Sequence, residues 1–217
     1  QLYAISNAGS LAALAAYPFF MEPLFSLHNH LFAWIAIYVC YAAGMFGCMW
    51  LVSKHTYLEK SISEQTLFGG SSTTISTVLK IRWIFFSMIP VLMLLAITNH
   101  LTQGITPTPL LWLVPLALYL LSFILTFQKK TFRFPEIYSW GFILITTFML
   151  PVFVGTGDAY LWLQVLGYLL LLFFSCMVCH SNLYASKPPS SGLNIFYLFV
   201  ATGGALGSIF VNLVAPF

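Results

Sequence analysis

Charge is what this 217-residue chain has least of. Lys, Arg, Asp and Glu together make up 6% of it, against roughly 25% in an ordinary soluble domain. A soluble fold covers its surface with such side chains, and here there are too few to do so. With 60% hydrophobic residues and a mean hydropathy of +0.92, the expected outer solvent is lipid. No Lys, Arg, Asp or Glu falls near the centre of an apolar run. Ionisable groups inside a membrane mark proton relays and charge-coupled transport, so coupling of that kind would depend on helices other than these. No basic cluster exceeds a few residues, which argues against nucleic acid as a partner. Cysteine is scarce as well. Cys40 and Cys48 lie in one apolar run and Cys176 and Cys179 in another, where they read as small buried hydrophobes and not as a disulfide framework. There is no initiating Met and no signal-peptide pattern; the chain opens directly in a helical segment, as expected if a further N-terminal part precedes Gln1.

What the chain does have is long apolar runs. A helix needs about 20 residues to cross a bilayer core of ~30 Å, and seven runs qualify: Leu2–Phe20, Leu31–Ser53, Ile81–Thr98, Leu110–Phe127, Ile137–Phe153, Ala159–His180 and Asn194–Phe217. All eight basic residues fall in three stretches, between the runs or at the very start of one: Lys54, Lys60, Lys80 and Arg82; Lys129, Lys130 and Arg133; and Lys187. These follow the second, fourth and sixth runs, and the intervening loops carry none. The positive-inside bias then predicts a cytoplasmic N-terminus and an external C-terminus. One helix more or fewer would put basic loops on both faces, so the charges also check the span count. Trp34, Trp50, Trp83, Trp112, Trp140 and Trp162 all fall near predicted helix ends, where indole favours the headgroup layer. Glu136 and Asp158 sit at predicted helix starts, suited to oppose the positive end of the helix dipole. Between Lys54 and Lys80 the run Gly69-Gly70-Ser71-Ser72-Thr73-Thr74 reads as a flexible linker. The expected organisation is a two-helix segment over 1–53, a cytoplasmic linker over 54–80 and a five-helix segment over 81–217.

Three stretches carry a resemblance. The first is Leu2-Tyr3-Ala4-Ile5-Ser6-Asn7-Ala8-Gly9-Ser10-Leu11 with Tyr17-Pro18-Phe19 and Glu22-Pro23. The second is Thr98-Asn99-His100-Leu101-Thr102 with Pro109-Leu110-Leu111-Trp112-Leu113-Val114-Pro115. The third is Cys179-His180 with Phe196-Tyr197-Leu198 and Gly203-Gly204-Ala205-Leu206-Gly207. In order and spacing the chain resembles the integral-membrane region of the membrane-bound, spermidine-synthase-like family, a transporter-like bundle fused to a synthase domain. The resemblance implies part of a twelve-helix, major-facilitator-like bundle, with the first run here as its fifth span. Four leading helices and one trailing helix would then lie outside this chain, and a bacterial inner membrane is the expected location. Two departures matter. After Cys179-His180 the family pattern runs Gly-Glu-Leu, whereas this chain has Ser181-Asn182-Leu183. The synthase domain has no counterpart, so its aminopropyl transfer does not carry over, and the chain is not expected to be an enzyme.

Few residues invite a chemical role. Cys176-Met177-Val178-Cys179-His180 spells C-x-x-C-H, the attachment signature of c-type haem. It lies at the predicted cytoplasmic end of an apolar helix, the wrong face for such a haem, and it reads better as two packing cysteines and an interfacial histidine. No cofactor is expected. His28 and His30 alternate near Glu22, a spacing open to a transition metal, although two loop histidines more often stay solvated. His100, between Asn99 and Thr102 and above Pro90, is a candidate for an outward-facing pocket. Asn7, beside Ser6 and Ser10, is a second candidate contact for a small molecule, or else a partner in interhelical hydrogen bonding. Gly9, and Gly203 with Gly207, have the small-residue spacing that lets helix backbones approach closely. The sequence therefore points to an all-α polytopic membrane bundle. Its expected role is a non-catalytic anchor or accessory subunit packed against other membrane chains or helices. The alternative is a binding or transport domain in which His100 and Asn7 share a polar cavity. A reporter active only in the cytoplasm should work when fused after Lys187 and fail when fused after Gly104; the reverse pattern would invert the topology.

Overall fold

The computed structural model describes residues 2–24, 27–59, 75–104, 109–128, 135–155, 160–189 and 192–214. Among them every regular element is helical and there is no strand. The order is α1 (Leu2–Ala16), a π-turn (Tyr17–Met21), α2 (Glu22–Leu24), α3 (Leu27–Glu59), α4 (Thr77–Gly104), α5 (Pro109–Phe127), α6 (Pro135–Phe153), α7 (Leu161–Ala185) and α8 (Leu193–Leu213). Among the described residues, six segments are long and apolar enough to cross a membrane: Ala4–Leu24, Asn29–Ser53, Thr77–Gln103, Glu136–Phe153, Leu161–Ala185 and Leu193–Leu213. The seventh expected span, α5, presents the shorter apolar stretch Leu111–Phe127. The fold is thus all-α and multi-pass, and the bilayer is its environment.

The helices differ from expectation mainly at their ends. The first run turns into the π-turn at Tyr17, where Glu22 N–H donates to Tyr17 O. Pro18 has no N–H to continue the α-helical ladder, and one wider turn absorbs the gap. α3 continues to Glu59 and α4 begins at Thr77, so both ends of the expected 54–80 linker are helix. Its Gly69–Thr74 run lies outside the described residues. α7 extends to Ala185, past the expected end at His180. Pro90, Pro115 and Pro151 sit inside α4, α5 and α6 without interrupting them, a placement that neighbouring helices make tolerable in a membrane.

Contacts divide the chain into Ala16–Thr74 and a second unit of Gln1–Ala15 with Ile75–Phe217. Within the second unit, Ala4 of α1 joins a core cluster with Trp83, Phe123 and Phe196. In the first unit, His30 Nε2 lies 2.8 Å from Met21 O and its ring is 6.1 Å from that of Tyr17.

The second unit is built around α4 and α7. α8 lies on α4, α6 lies on α7, and α5 touches both central helices. Named pairs set the directions. Trp83 meets Phe196, while Met88 and Val91 lie against Gly207, so α4 and α8 run parallel. Phe123 stacks on His180 and Phe127 meets Tyr184, so α5 and α7 also run parallel. α4 and α7 are antiparallel, since Trp83 Nε1–H donates to Ser186 O at one end and His100 meets Tyr168 at the other. Lys80, Arg82, the end of α5 and Lys187 therefore come to one end of this unit, as the charge pattern requires.

The α4–α8 contact depends on two missing side chains. A Cβ on Gly203 would run into Ser87 Oγ and lie 2.5 Å from Ile84 O; one on Gly207 would lie 2.9 Å from Met88 O. Both obstacles include backbone, which cannot swing aside. On α6 and α7, Phe174 fills the space over Gly141 and Met149 fills that over Gly167. Trp83 is a correction to the expected aromatic belt. The other five tryptophans are exposed, but Trp83 is fully buried, edge-on to Phe196 with ring centroids 5.1 Å apart. The open carbonyl of Ser186, just past α7, satisfies its indole N–H at 3.2 Å, and so allows the ring to enter protein instead of headgroups. Gly203→Ala and Gly207→Ala should each destabilise the purified protein by about 1–3 kcal/mol, the usual range for overpacking. Gly204→Ala, whose Cβ would meet only Val91 Cγ2 at 3.8 Å, should leave the thermal midpoint in detergent unchanged.

Candidate functional site

Among the described residues of the second unit, polar side chains of different helices meet at several places. The first is a buried node between α5 and α7. His180 and Ser122 are both fully buried, although His180 was expected at the interface. The extra helical turn to Ala185 moves it inward. Ser122 Oγ lies 2.7 Å from Tyr119 O and 2.9 Å from His180 Nδ1. A carbonyl can only accept, so the single hydroxyl proton goes to Tyr119 O. Oγ is then left to accept from His180 Nδ1–H. Among the described residues, His180 Nε2 has no hydrogen-bond partner. Phe123 lies nearly flat on the imidazole at 3.6 Å and Tyr119 meets its edge at 5.4 Å.

This placement bears on the C-x-x-C-H motif. Cys176 and Cys179 are buried packing residues, and Cys176 joins Ile97, Leu101, Tyr168 and Leu172 in one apolar cluster. Phe123 occupies one face of the His180 ring. Among the described residues, no group of three or more His, Cys, Asp and Glu side chains is placed to hold a metal ion. The His28 side chain lies outside the described residues.

The second place is a cleft of about 340 Å³ at the end of α4 and α7 away from Lys80 and Arg82. His100, Leu101 and Gln103 line it from α4, and Gln164, Val165 and Tyr168 from α7. The rings of His100 and Tyr168 meet edge-on at 4.6 Å. The other expected binding residues point elsewhere. Thr102 Oγ1 turns back to Thr98 O and Asn99 O at 2.9 and 3.1 Å. Neither Asn99 nor Asn7 lines the cleft. Asn7 is half-buried on α1, and its neighbour Ser10 donates to Ser6 O of the same helix. Gln103, Gln164 and Tyr168 were missed in the sequence. Their signal was weak: Gln164 and Tyr168 are four residues apart on one face of α7, and polar residues are rare in such a helix.

A third polar contact lies at the basic end. Arg82 donates to Asn182 Oδ1 at 3.5 Å, and Asn182 Nδ2 donates to Val178 O at 2.8 Å. The carboxamide at this corner thus faces a guanidinium. These features define a multi-pass helical membrane protein with a buried His–Ser node and a polar cleft among its described residues. No protein-family model matches the chain, and no curated protein or solved structure shows significant similarity to it.

The node yields a double-mutant test. Ser122→Ala removes the partner of Nδ1 and should cost about 1–3 kcal/mol, the penalty for orphaning a buried polar group. In a His180→Phe background the same change should cost about 1 kcal/mol less. Equal costs in both backgrounds, measured by unfolding in detergent, would mean that the bond contributes nothing.

Proposed function

We propose that this chain is a non-catalytic integral-membrane subunit or anchor that packs open small-residue faces against other membrane helices. The observation that carries this reading is the contrast between occupied and open glycines. Gly203 and Gly207 hold α8 close to α4. On α3, Cys40, Gly44 and Cys48 follow one another at four-residue spacing and are exposed, and a Cβ on Gly44 or Gly47 would meet nothing within 4 Å. Gly9 is likewise open, beside exposed Ala8 and Ala12. Small residues are enriched where membrane helices associate, because without them backbones cannot approach. A bacterial inner-membrane location with the basic end cytoplasmic, and the resemblance to the membrane region of spermidine-synthase-like proteins, belong to the same proposal. The cleft at His100 favours a second role, binding of a small molecule.

Extracted from native membranes in mild detergent, the chain should migrate as part of an assembly larger than itself. Gly44→Leu and Gly9→Leu should each release it from that assembly without lowering its thermal midpoint. A stable monomer whose behaviour is unaltered by both substitutions would overturn the subunit reading.

A further inference from the structure

Arg82 is a cation on an apolar helix face. It is exposed on α4 together with Val78, Ile81 and Phe85, at the three- and four-residue spacing that lines one side of a helix. Two contacts hold its guanidinium there. The group lies 5.3 Å from the centroid of the Phe86 ring, and it donates to Asn182 Oδ1 of α7 at 3.5 Å. Asn182 is itself fixed, because its Nδ2 donates to Val178 O at 2.8 Å, which leaves the oxygen to face the arginine. A carboxamide and a phenyl ring are both neutral, so they orient the charge without cancelling it. The planar fork has five N–H donors, and a single contact to Asn182 Oδ1 steers it.

The surroundings add charge of the same sign. The bond from Trp83 Nε1–H to Ser186 O brings Lys187 to the corner where α4 begins and α7 ends. α5 ends and α6 begins on this side too, since Phe127 meets Tyr184 and Gly141 lies against Phe174. The elements and connections of this end carry Lys80, Arg82, Lys129, Lys130, Arg133 and Lys187 in sequence, against the one carboxylate Glu136. Asp158 belongs to the α6–α7 connection, at the other end. An oriented guanidinium, an apolar flank and a positive field all suit one occupant. Arginine pairs with phosphate oxygens in a bidentate fork, and basic sites at helix ends take anionic lipid headgroups. We infer that Arg82, with Lys187 beside it, binds the headgroup phosphate of an anionic phospholipid at the α4–α7 corner. The acyl chains run along the exposed α4 face past Phe85, and Asn182 is the positioning residue. Lys80 is outside the site: two residues from Arg82, it projects from the opposite side of α4, over the Phe199 ring of α8 at 5.7 Å. The inference uses the bilayer environment alone and does not depend on whether the chain is a subunit.

Two lipids with the same acyl chains, phosphatidylglycerol and phosphatidylcholine, test the site. The delipidated full chain in neutral detergent is titrated with each, and native mass spectrometry reads the fraction carrying one lipid. Phosphatidylglycerol should bind at least about fivefold more tightly than phosphatidylcholine. Arg82→Gln should lower the phosphatidylglycerol affinity about tenfold. Asn182→Glu keeps Arg82 but gives it an internal counter-charge, and it should cause a similar loss; with two variants, a folding defect in one does not decide the outcome. Lys80→Gln removes the same unit of charge from the far side of the helix. That side is about 10 Å away, beyond a Debye length of roughly 8 Å at about 0.15 M salt, so the affinity should change less than about twofold. Excess inorganic phosphate should not displace the lipid. Equal affinity for the two lipids, an unchanged affinity in Arg82→Gln or in Asn182→Glu, an equal loss in Lys80→Gln, or displacement by inorganic phosphate would each overturn the inference. The readout is lipid mass on a single chain, so it fails or succeeds separately from the size of any assembly containing that chain.

Discussion

The close approach of α8 to α4 governs much of the second unit. Two helices of ordinary side chains keep their axes about 8–10 Å apart; here Gly203 and Gly207 remove the side chains that would hold them there. Ile84 O and Met88 O lie where a Cβ would otherwise project. That contact joins elements far apart in the chain and aligns α8 parallel to α4. It also brings Phe196 to Trp83, the pair around which the cluster of Phe123, Phe127, Leu183 and Val200 assembles. With one side of α4 committed to α8, α7 takes another and runs antiparallel to it. The antiparallel pairing brings Arg82 to Asn182 at one end and His100 to Tyr168 at the other.

Polar groups inside this bundle are handled economically. Ser87, Thr102, Thr126, Thr146, Thr147, Ser181 and Thr202 all donate to carbonyls three or four residues back in their own helices. A hydroxyl satisfied in this way crosses the membrane without needing a partner helix. Three side-chain bonds in the second unit that connect helices or their ends, Ser122 with His180, Trp83 with Ser186 and Arg82 with Asn182, involve α7 or the residue that follows it. α7 therefore carries both the deepest polar node and one wall of the cleft.

Much of the architecture was legible before folding. Bilayer thickness sets helix length, and few charges interrupt the apolar runs, so their positions could be read directly. The basic stretches marked alternate ends, and the pairing of Trp83 with Ser186 places Lys80, Arg82 and Lys187 together accordingly. The Gly203–Gly207 spacing announced a close helix contact, although not that its partner would be α4 of the same chain. The misreadings arose where a helix ran on. His180 looked interfacial because it ended the apolar run Ala159–His180, but the Ser181 hydroxyl and Asn182 carboxamide bond back to Val178 O and α7 continues to Ala185. Trp83 looked like a belt residue because it lies near a helix end. Its burial depends on a carbonyl one hundred residues away in sequence, which no local pattern reports.

By itself the sequence determined the all-helical, membrane-like class and the positions of the apolar runs, because each follows from the solvation of a single segment: apolar residues partition into lipid and Lys and Arg remain outside it. Only the tertiary structure decided which helix faces meet. That choice depends on shape complementarity between segments distant in the chain. It closed helix contacts over Gly203 and Gly207, and it put Gln103, Gln164 and Tyr168 around His100 while leaving Asn7 and Asn99 out of the cleft.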